Sequence, residues 1–174
     1  MHTTALKKSI PLISLPVIRA VCGIRFTAMS PNKAFVEVRS DTGTWELRAF
    51  DCEQVHARII GKVEFIPNAL LTPEEFEARE DEIQLGFPEQ VSDYATSRIR
   101  ILLPEDHHFM IAGRSVDFSD KIYLNGKLVA EIGTPGETRE TTIPETASVY
   151  ITTDPVGGEL ILLQQGSNFV HRQG

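Results

Sequence analysis

The chain has 174 residues, about the size of one domain, and its 41% hydrophobic and 24% charged residues are typical of a globular protein. Its 17 Lys and Arg against 24 Asp and Glu give a net charge of −7, and the longest basic run is Lys7-Lys8. Nucleic-acid binding needs clustered basic residues, so we expect no nucleic-acid partner. Cys22 and Cys52 lack ligand spacing, so neither a metal site nor a cofactor is expected, and Cys52 is read as a small buried apolar residue.

Residues 1–34 form an apolar N-terminal segment. Its two lysines, an apolar run over 9–24 and the small residues after it follow the outline of an export signal. Arg19 interrupts the run, and the uninterrupted part, 9–18, is shorter than the roughly 20 residues that span a bilayer. The segment is interpreted as a degraded signal or anchor, and two alternatives stay open: a wrongly assigned start site, or an irregular arm packed on the domain.

From residue 35 onward the pattern is typical of β structure, and we assign 35–174 to one domain. Apolar and polar residues alternate in short runs that are separated by Gly, Pro, Asn and Asp. The predicted strands are 35–39, 45–50, 59–66, 97–103, 109–112, 121–124, 127–132, 148–152 and 159–165. Short strands without alternating helices favour an all-β sandwich or jelly roll over a βαβ fold.

Three local signals sharpen this prediction. Thr72, Pro73 and Glu75 have the spacing of a capping box with proline at the first helical position, and they predict one short helix near 73–82. Asn125-Gly126 between two apolar runs predicts a hairpin with a type I′ turn. Trp45 alternates with polar residues as a core residue does, which argues against a sugar-stacking platform.

Motifs of common enzymes are absent from the sequence. There is no G-x-S-x-G nucleophile elbow, no P-loop and no glycine-rich nucleotide motif after a strand. The acidic cluster of 74–82 is read as a solvated helix face, and His107-His108 as an exposed turn without metal. We expect a domain that is not itself an enzyme, although paired carboxylates for glycoside hydrolysis stay open at this point, because their separation in space decides that role.

Six short motifs follow one another from residue 43 to the end of the chain. They are GTWELR (43–48), GKVEF (61–65), LLTPEEF (70–76), YATSRIR (94–100), KIYLNG (121–126) and GSNFVHRQG (166–174). Their order resembles the extracytoplasmic sensor domain of bacterial seven-transmembrane receptors with diverse intracellular signalling modules. That family shows G-x-W-x-F/L, G-x-W/V-E-F-Y, L-L-T-P-E-D-F, Y-x-T-Y-R-L, R-L-Y-V-N-G and V-S-N-F-H-H-R-x-G.

The sequence departs from the family pattern at several positions. Ser97 replaces the usual tyrosine, Asp120 stands where an aromatic residue is common, and Val170 replaces the first histidine of a pair. Lys62-Val63 stands where a tryptophan is frequent. These departures bear on the family's ligand contacts more than on its fold.

The resemblance implies a galactose-binding-like jelly roll that senses a small molecule, of carbohydrate or related type, at the periplasmic or extracellular face of the bacterial cytoplasmic membrane. It implies a chain truncated before a membrane region, with a histidine kinase or cyclase output in full-length relatives. Two alternatives stay open: an accessory sugar-binding domain of a glycoside hydrolase, and a scaffold or adhesion domain without a ligand. A homodimer also stays open.

Loops at the end of such a sandwich are the places where polar side chains meet a ligand. The loop over 133–140 and the C-terminal end of the chain supply donors and acceptors suited to hydroxyl groups. The candidate ligand-binding residues are Glu137, Arg139, Asn168, His171 and Arg172.

Overall fold

The computed structural model describes residues 12–14, 34–50, 55–87, 93–107, 110–153 and 156–169. The predictions for the N-terminal segment apart from 12–14, and those for Cys22, Cys52, His108, His171 and Arg172, lie outside the described residues. Within the described ranges the chain forms eleven strands, one five-residue helix and a short 3₁₀ turn. The predicted all-β class with one short helix is confirmed.

The elements have the following bounds. They are β1 (Leu12–Ser14), β2 (Ala34–Ser40), β3 (Thr44–Glu46), β4 (Val55–Gly61), β5 (Val63–Pro67), α1 (Pro73–Glu77), a 3₁₀ turn (Glu80–Glu82), β6 (Gln84–Gly86), β7 (Tyr94–His107), β8 (Met110–Leu124), β9 (Lys127–Ile132), β10 (Glu145–Thr152) and β11 (Val156–Ser167).

Strand β8 belongs to both layers of the sandwich. Its first part, up to Phe118, lies between β1 and β10 in sheet A, which runs β2-β4-β1-β8-β10. Its second part, from Ser119, lies between β9 and β11 in sheet B, which runs β9-β8-β11-β7-β5-β6. The two strands predicted at 109–112 and 121–124 are therefore one long strand that passes from one sheet to the other.

The main core lies between these two sheets. From sheet B, Ile99 and Ile101 of β7 lie beside Leu162 and Leu160 of β11, and all four are buried. Sheet A contributes the facing apolar residues Ala57, Ile59, Ile111 and Ile151. Burial of each large aliphatic side chain contributes about 1.5 to 3 kcal/mol.

Trp45 is fully buried in this core, as predicted. Its indole Nε1 donates to the Ile60 carbonyl oxygen over 3.1 Å, which satisfies the polar end of a ring that is otherwise enclosed by apolar groups. The ring therefore has a structural role and offers no stacking surface to a ligand.

Gly61 divides the strand predicted over 59–66 into β4 and β5, which lie in different sheets. Its φ is 141°, and a Cβ built on it would lie 1.8 Å from the Ser40 carbonyl oxygen. That same oxygen accepts from the Lys62 backbone N–H over 3.0 Å. Only glycine allows the backbone to approach so closely while the chain turns from sheet A to sheet B.

The predicted capping box of α1 is present. The Thr72 hydroxyl accepts from the Glu75 N–H over 3.3 Å, and the Glu75 carboxylate accepts from the Thr72 N–H over 2.8 Å. However, α1 ends at Glu77, because Phe76 is its one buried residue and no apolar stripe extends along 78–82. The helix predicted near 73–82 is thus one helical turn followed by a 3₁₀ turn.

A second, smaller core lies where the segment 68–83 covers the outer face of sheet B. Its buried members are Ile66, Ala69, Leu71, Phe76 and Leu163. Two polar side chains of the sheet hold the backbone of this segment. The Thr96 hydroxyl donates to the Ala69 carbonyl and accepts from the Leu71 N–H, and the Gln165 amide donates to the Leu71 carbonyl.

Arg98 anchors α1 to the same face. Its side chain is 3% exposed. The Nε donates to the Glu64 carboxylate over 2.6 Å, and Nη1 donates to the Glu77 carboxylate over 2.8 Å. The cation also lies 5.0 Å from the centre of the Phe76 ring. Burial disfavours the charged form, but the hydrogen bond to Glu64 and the nearby charges outweigh it, so the pKa of Arg98 is raised.

Substitution of Asn125 tests the β8–β9 turn. Asn125 and Gly126 have φ of 46° and 81°, as a type I′ turn requires, and the Asn125 Oδ1 accepts from the Ile161 N–H over 2.8 Å. Asn125→Val should lower the free energy of unfolding by on the order of 1 kcal/mol or more, because a β-branched residue resists positive φ. The measurement is denaturant unfolding, with Asn125→Asp, which keeps an acceptor and tolerates this φ, as control. Equal midpoints for both variants would contradict the expectation.

Candidate functional site

The end of β11 is the place where three distant parts of the chain meet. The antiparallel register of β7 and β11 places Tyr94 opposite Ser167, and the loop between β9 and β10 is hydrogen-bonded to the end of β11. We call the set of residues 93–94, 134–143 and 167–169 the β11 corner. It contains the described part of the site that the sequence predicts.

The loop 134–143, here the threonine loop, is closed at its base and braced inside. Thr134 and Ile143 exchange backbone hydrogen bonds of 2.8 and 2.9 Å at the base. The Thr142 hydroxyl donates to the Thr138 carbonyl over 2.7 Å, and the Thr141 hydroxyl accepts from the Thr138 N–H. These local hydroxyl contacts give the loop a defined shape without an apolar core of its own.

Ser167 fastens the threonine loop to the end of β11. Its hydroxyl donates to the Gly136 carbonyl over 2.7 Å and accepts from the Gly136 N–H over 3.0 Å. Ser167 is 1% exposed, so both bonds are shielded from water. A Cβ on Gly136 would lie 2.5 Å from the Thr141 carbonyl carbon, which explains why glycine occupies this contact.

Arg139 makes the second contact between the threonine loop and the end of β11, on the exposed side of the loop. Its Nη2 donates to the Phe169 carbonyl oxygen over 2.6 Å, across 30 residues of sequence. The adjacent Asn168 N–H donates to the Asp93 carbonyl over 2.6 Å. The end of β11 is therefore held on one side by the threonine loop and on the other by the residue before β7.

An aromatic pair borders these polar groups. The rings of Tyr94 and Phe169 lie 6.2 Å apart between centroids, tilted by 30°, and both residues are partly exposed. Glu137 and Glu140 are exposed on either side of Arg139. The corner thus combines ring surface, hydroxyl groups, three carboxylates (Asp93, Glu137 and Glu140) and one guanidinium.

The structure brings together part of the predicted site. Arg139 contacts Phe169, the residue that follows Asn168. Glu137 is exposed on the threonine loop, which also carries Arg139. Asn168 is 9% exposed, so its side chain has little surface to offer a ligand. Sequence reasoning did not select Ser167, Tyr94 or Phe169 as site residues, although all three lie within the quoted motifs.

An exposed ion pair away from the corner also has a shifted pKa. The Arg48 side chain donates to Glu46 and lowers the pKa of that carboxyl to about 2, but this exposed pair lies near the opposite end of sheet B. In the described ranges, no group of three or more His, Cys, Asp or Glu side chains is placed to hold a metal ion. No helix among the described residues is long and apolar enough to cross a membrane.

No protein-family profile and no curated protein matches the chain. Two structures of β-glucosidase from Kluyveromyces marxianus are similar to it. One, labelled with selenomethionine, is 14% identical at a TM-score of 0.35 and covers 65% of this chain and 16% of that chain. The other, in complex with glucose, is 12% identical at a TM-score of 0.34 and covers 92% of this chain and 23% of that chain.

The chain therefore spans less than a quarter of the length of these β-glucosidases. TM-scores this low establish neither a shared fold nor a shared function.

Substitution of Ser167 tests how the corner is held. Ser167→Ala leaves the buried Gly136 N–H without its acceptor and leaves the Gly136 carbonyl only the longer, 3.3 Å bond from the Thr142 hydroxyl. The free energy of unfolding should therefore fall by about 1 to 3 kcal/mol. Ser148→Ala, at an exposed position on β10, is the matched control and should change stability by less than about 0.5 kcal/mol. Chemical denaturation measures both. Equal effects of the two substitutions would show that Ser167 does not fasten the loop.

Proposed function

We propose that this chain is a non-catalytic binding domain that senses a small polar ligand of carbohydrate type at the β11 corner. The observation that carries the proposal is that exposed Arg139 donates to the backbone carbonyl of Phe169, whose partly exposed ring pairs with that of Tyr94. A sugar presents hydroxyl pairs on its edge and C–H groups on its face. A planar guanidinium suits the former, and aromatic rings suit the latter.

The charged side chains of the threonine loop favour neutral ligands over anionic ones. Glu137 and Glu140 lie within two residues of Arg139 and are exposed, so negative charges outnumber positive ones on the loop. Carboxylates accept hydrogen bonds from hydroxyl groups but repel another anion. Neutral sugars are therefore favoured over uronic acids or sugar phosphates.

The sensory role rests on the resemblance to the sensor domains of seven-transmembrane receptors. Residues of the quoted motifs occupy positions with clear physical roles: Thr72 caps α1, Asn125 forms the hairpin turn and Ser167 fastens the corner. We place the domain at the periplasmic or extracellular face of a bacterial membrane. A kinase or cyclase output would lie beyond these residues.

A binding screen tests the proposal. Isothermal titration calorimetry with a panel of neutral methyl glycosides, and with glucuronate and galacturonate for comparison, should find a neutral glycoside that binds. Arg139→Ala should weaken that binding several-fold without lowering the melting temperature, since the exposed Arg139 holds only the end of β11 and takes no part in the core. Arg79→Ala, which removes an arginine paired with Glu82 in the 3₁₀ turn, should leave binding unchanged.

Two results would contradict the proposal. Full affinity in Arg139→Ala would move the site away from the corner. A panel without any binding glycoside would favour a scaffold domain.

A further inference from the structure

The two fastenings of the threonine loop differ in their exposure to solvent. Ser167 is buried, and its hydroxyl acts as both donor and acceptor toward Gly136, so this contact cannot exchange partners without opening the loop. The contact between Arg139 and the Phe169 carbonyl lies on the exposed side. Of the two contacts, the Arg139–Phe169 hydrogen bond is therefore the one that a bound ligand can reach.

A guanidinium has five N–H donors in a fixed plane, and Nη2 is the one that donates to Phe169. A ligand hydroxyl can accept from another donor of the same plane while the bond to Phe169 is kept. Because the group is planar and rigid, a ligand that fixes one edge of the guanidinium also orients the other edge.

We infer that Arg139 couples occupancy of the corner to the order of the β11 end, Ser167–Phe169. This inference rests on the proposed function. It adds the structural change that ligand binding produces, namely greater order at the β11 end. A ligand that bridges to Arg139 strengthens the hold on the Phe169 carbonyl. Two neighbouring contacts carry this restraint to β7, namely the hydrogen bond from Asn168 to Asp93 and the Tyr94–Phe169 ring pair.

The coupling has a thermodynamic requirement. A ligand shifts the balance between a held and a released β11 end only if it binds the held form more tightly. Contact with Arg139 supplies that difference, because the guanidinium has its ligand-binding orientation while it donates to Phe169. By reciprocity, loss of the Phe169 contact weakens binding by the same factor.

Hydrogen exchange at the Asn168 amide tests the first half of the inference without any ligand. This N–H donates to Asp93 beside the Arg139 contact, so Arg139→Ala should raise its exchange rate several-fold. Arg139→Lys should give an intermediate rate, because it keeps the charge but loses the planar group. Arg79→Ala is the control and should match wild type. An unchanged rate in Arg139→Ala would overturn the inference even if the domain binds sugars.

The second half uses the tightest-binding methyl glycoside of the calorimetric panel, at saturating concentration. It should slow Asn168 exchange several-fold in wild type and Arg79→Ala, and much less in Arg139→Ala. Equal slowing in Arg139→Ala, or none in wild type, would overturn the coupling while leaving the binding function intact. If no glycoside binds, the proposed function is wrong and so is the coupling. The Asn168 exchange rates measured without ligand still show whether Arg139 orders the β11 end.

Discussion

The antiparallel register of β7 and β11 is the constraint on which both the core and the corner depend. It pairs Ile99 with Leu162 on the inner face of sheet B and Arg98 with Leu163 on the outer face. A shift by one residue would turn Arg98 toward the main core and Ile99 toward the outer cover, so this register is strongly specified. The same register ends with Tyr94 opposite Ser167, which creates the corner.

Buried polar groups reinforce this register on the inner face as well. The Asp120 carboxylate, 1% exposed, accepts from the Gln164 amide over 2.7 Å, and Gln164 is paired with Ser97 across the strands. Gly166 leaves the space that this requires, since a Cβ there would lie 3.1 Å from an Asp120 oxygen. Ser97 and Asp120, two positions at which the sequence departs from the family pattern, therefore both neighbour the buried Gln164. Together the three residues form a polar group inside the sandwich.

Features with a local cause were predictable from the sequence, whereas features with a distant cause were not. The capping box at Thr72 and the turn at Asn125 follow from neighbouring residues, and the structure contains both. The division of β4 from β5 at Gly61 depends on the Ser40 carbonyl, and the role of Arg139 depends on the Phe169 carbonyl. Every residue has a backbone carbonyl, so the sequence does not indicate which carbonyl a side chain will contact. Arg139 could therefore be predicted as a candidate ligand-binding residue, whereas its contact with the Phe169 carbonyl could not.

The central claim is that a rigid sandwich presents one ligand-binding place, at the end of β11 beside the threonine loop. The most direct measurement is backbone amide chemical-shift mapping by NMR during titration of a binding methyl glycoside. The account predicts that the shift changes cluster at Tyr94, in the threonine loop and at Ser167–Phe169. Changes clustered instead on α1 and the outer face of sheet B, or along β10, would contradict it.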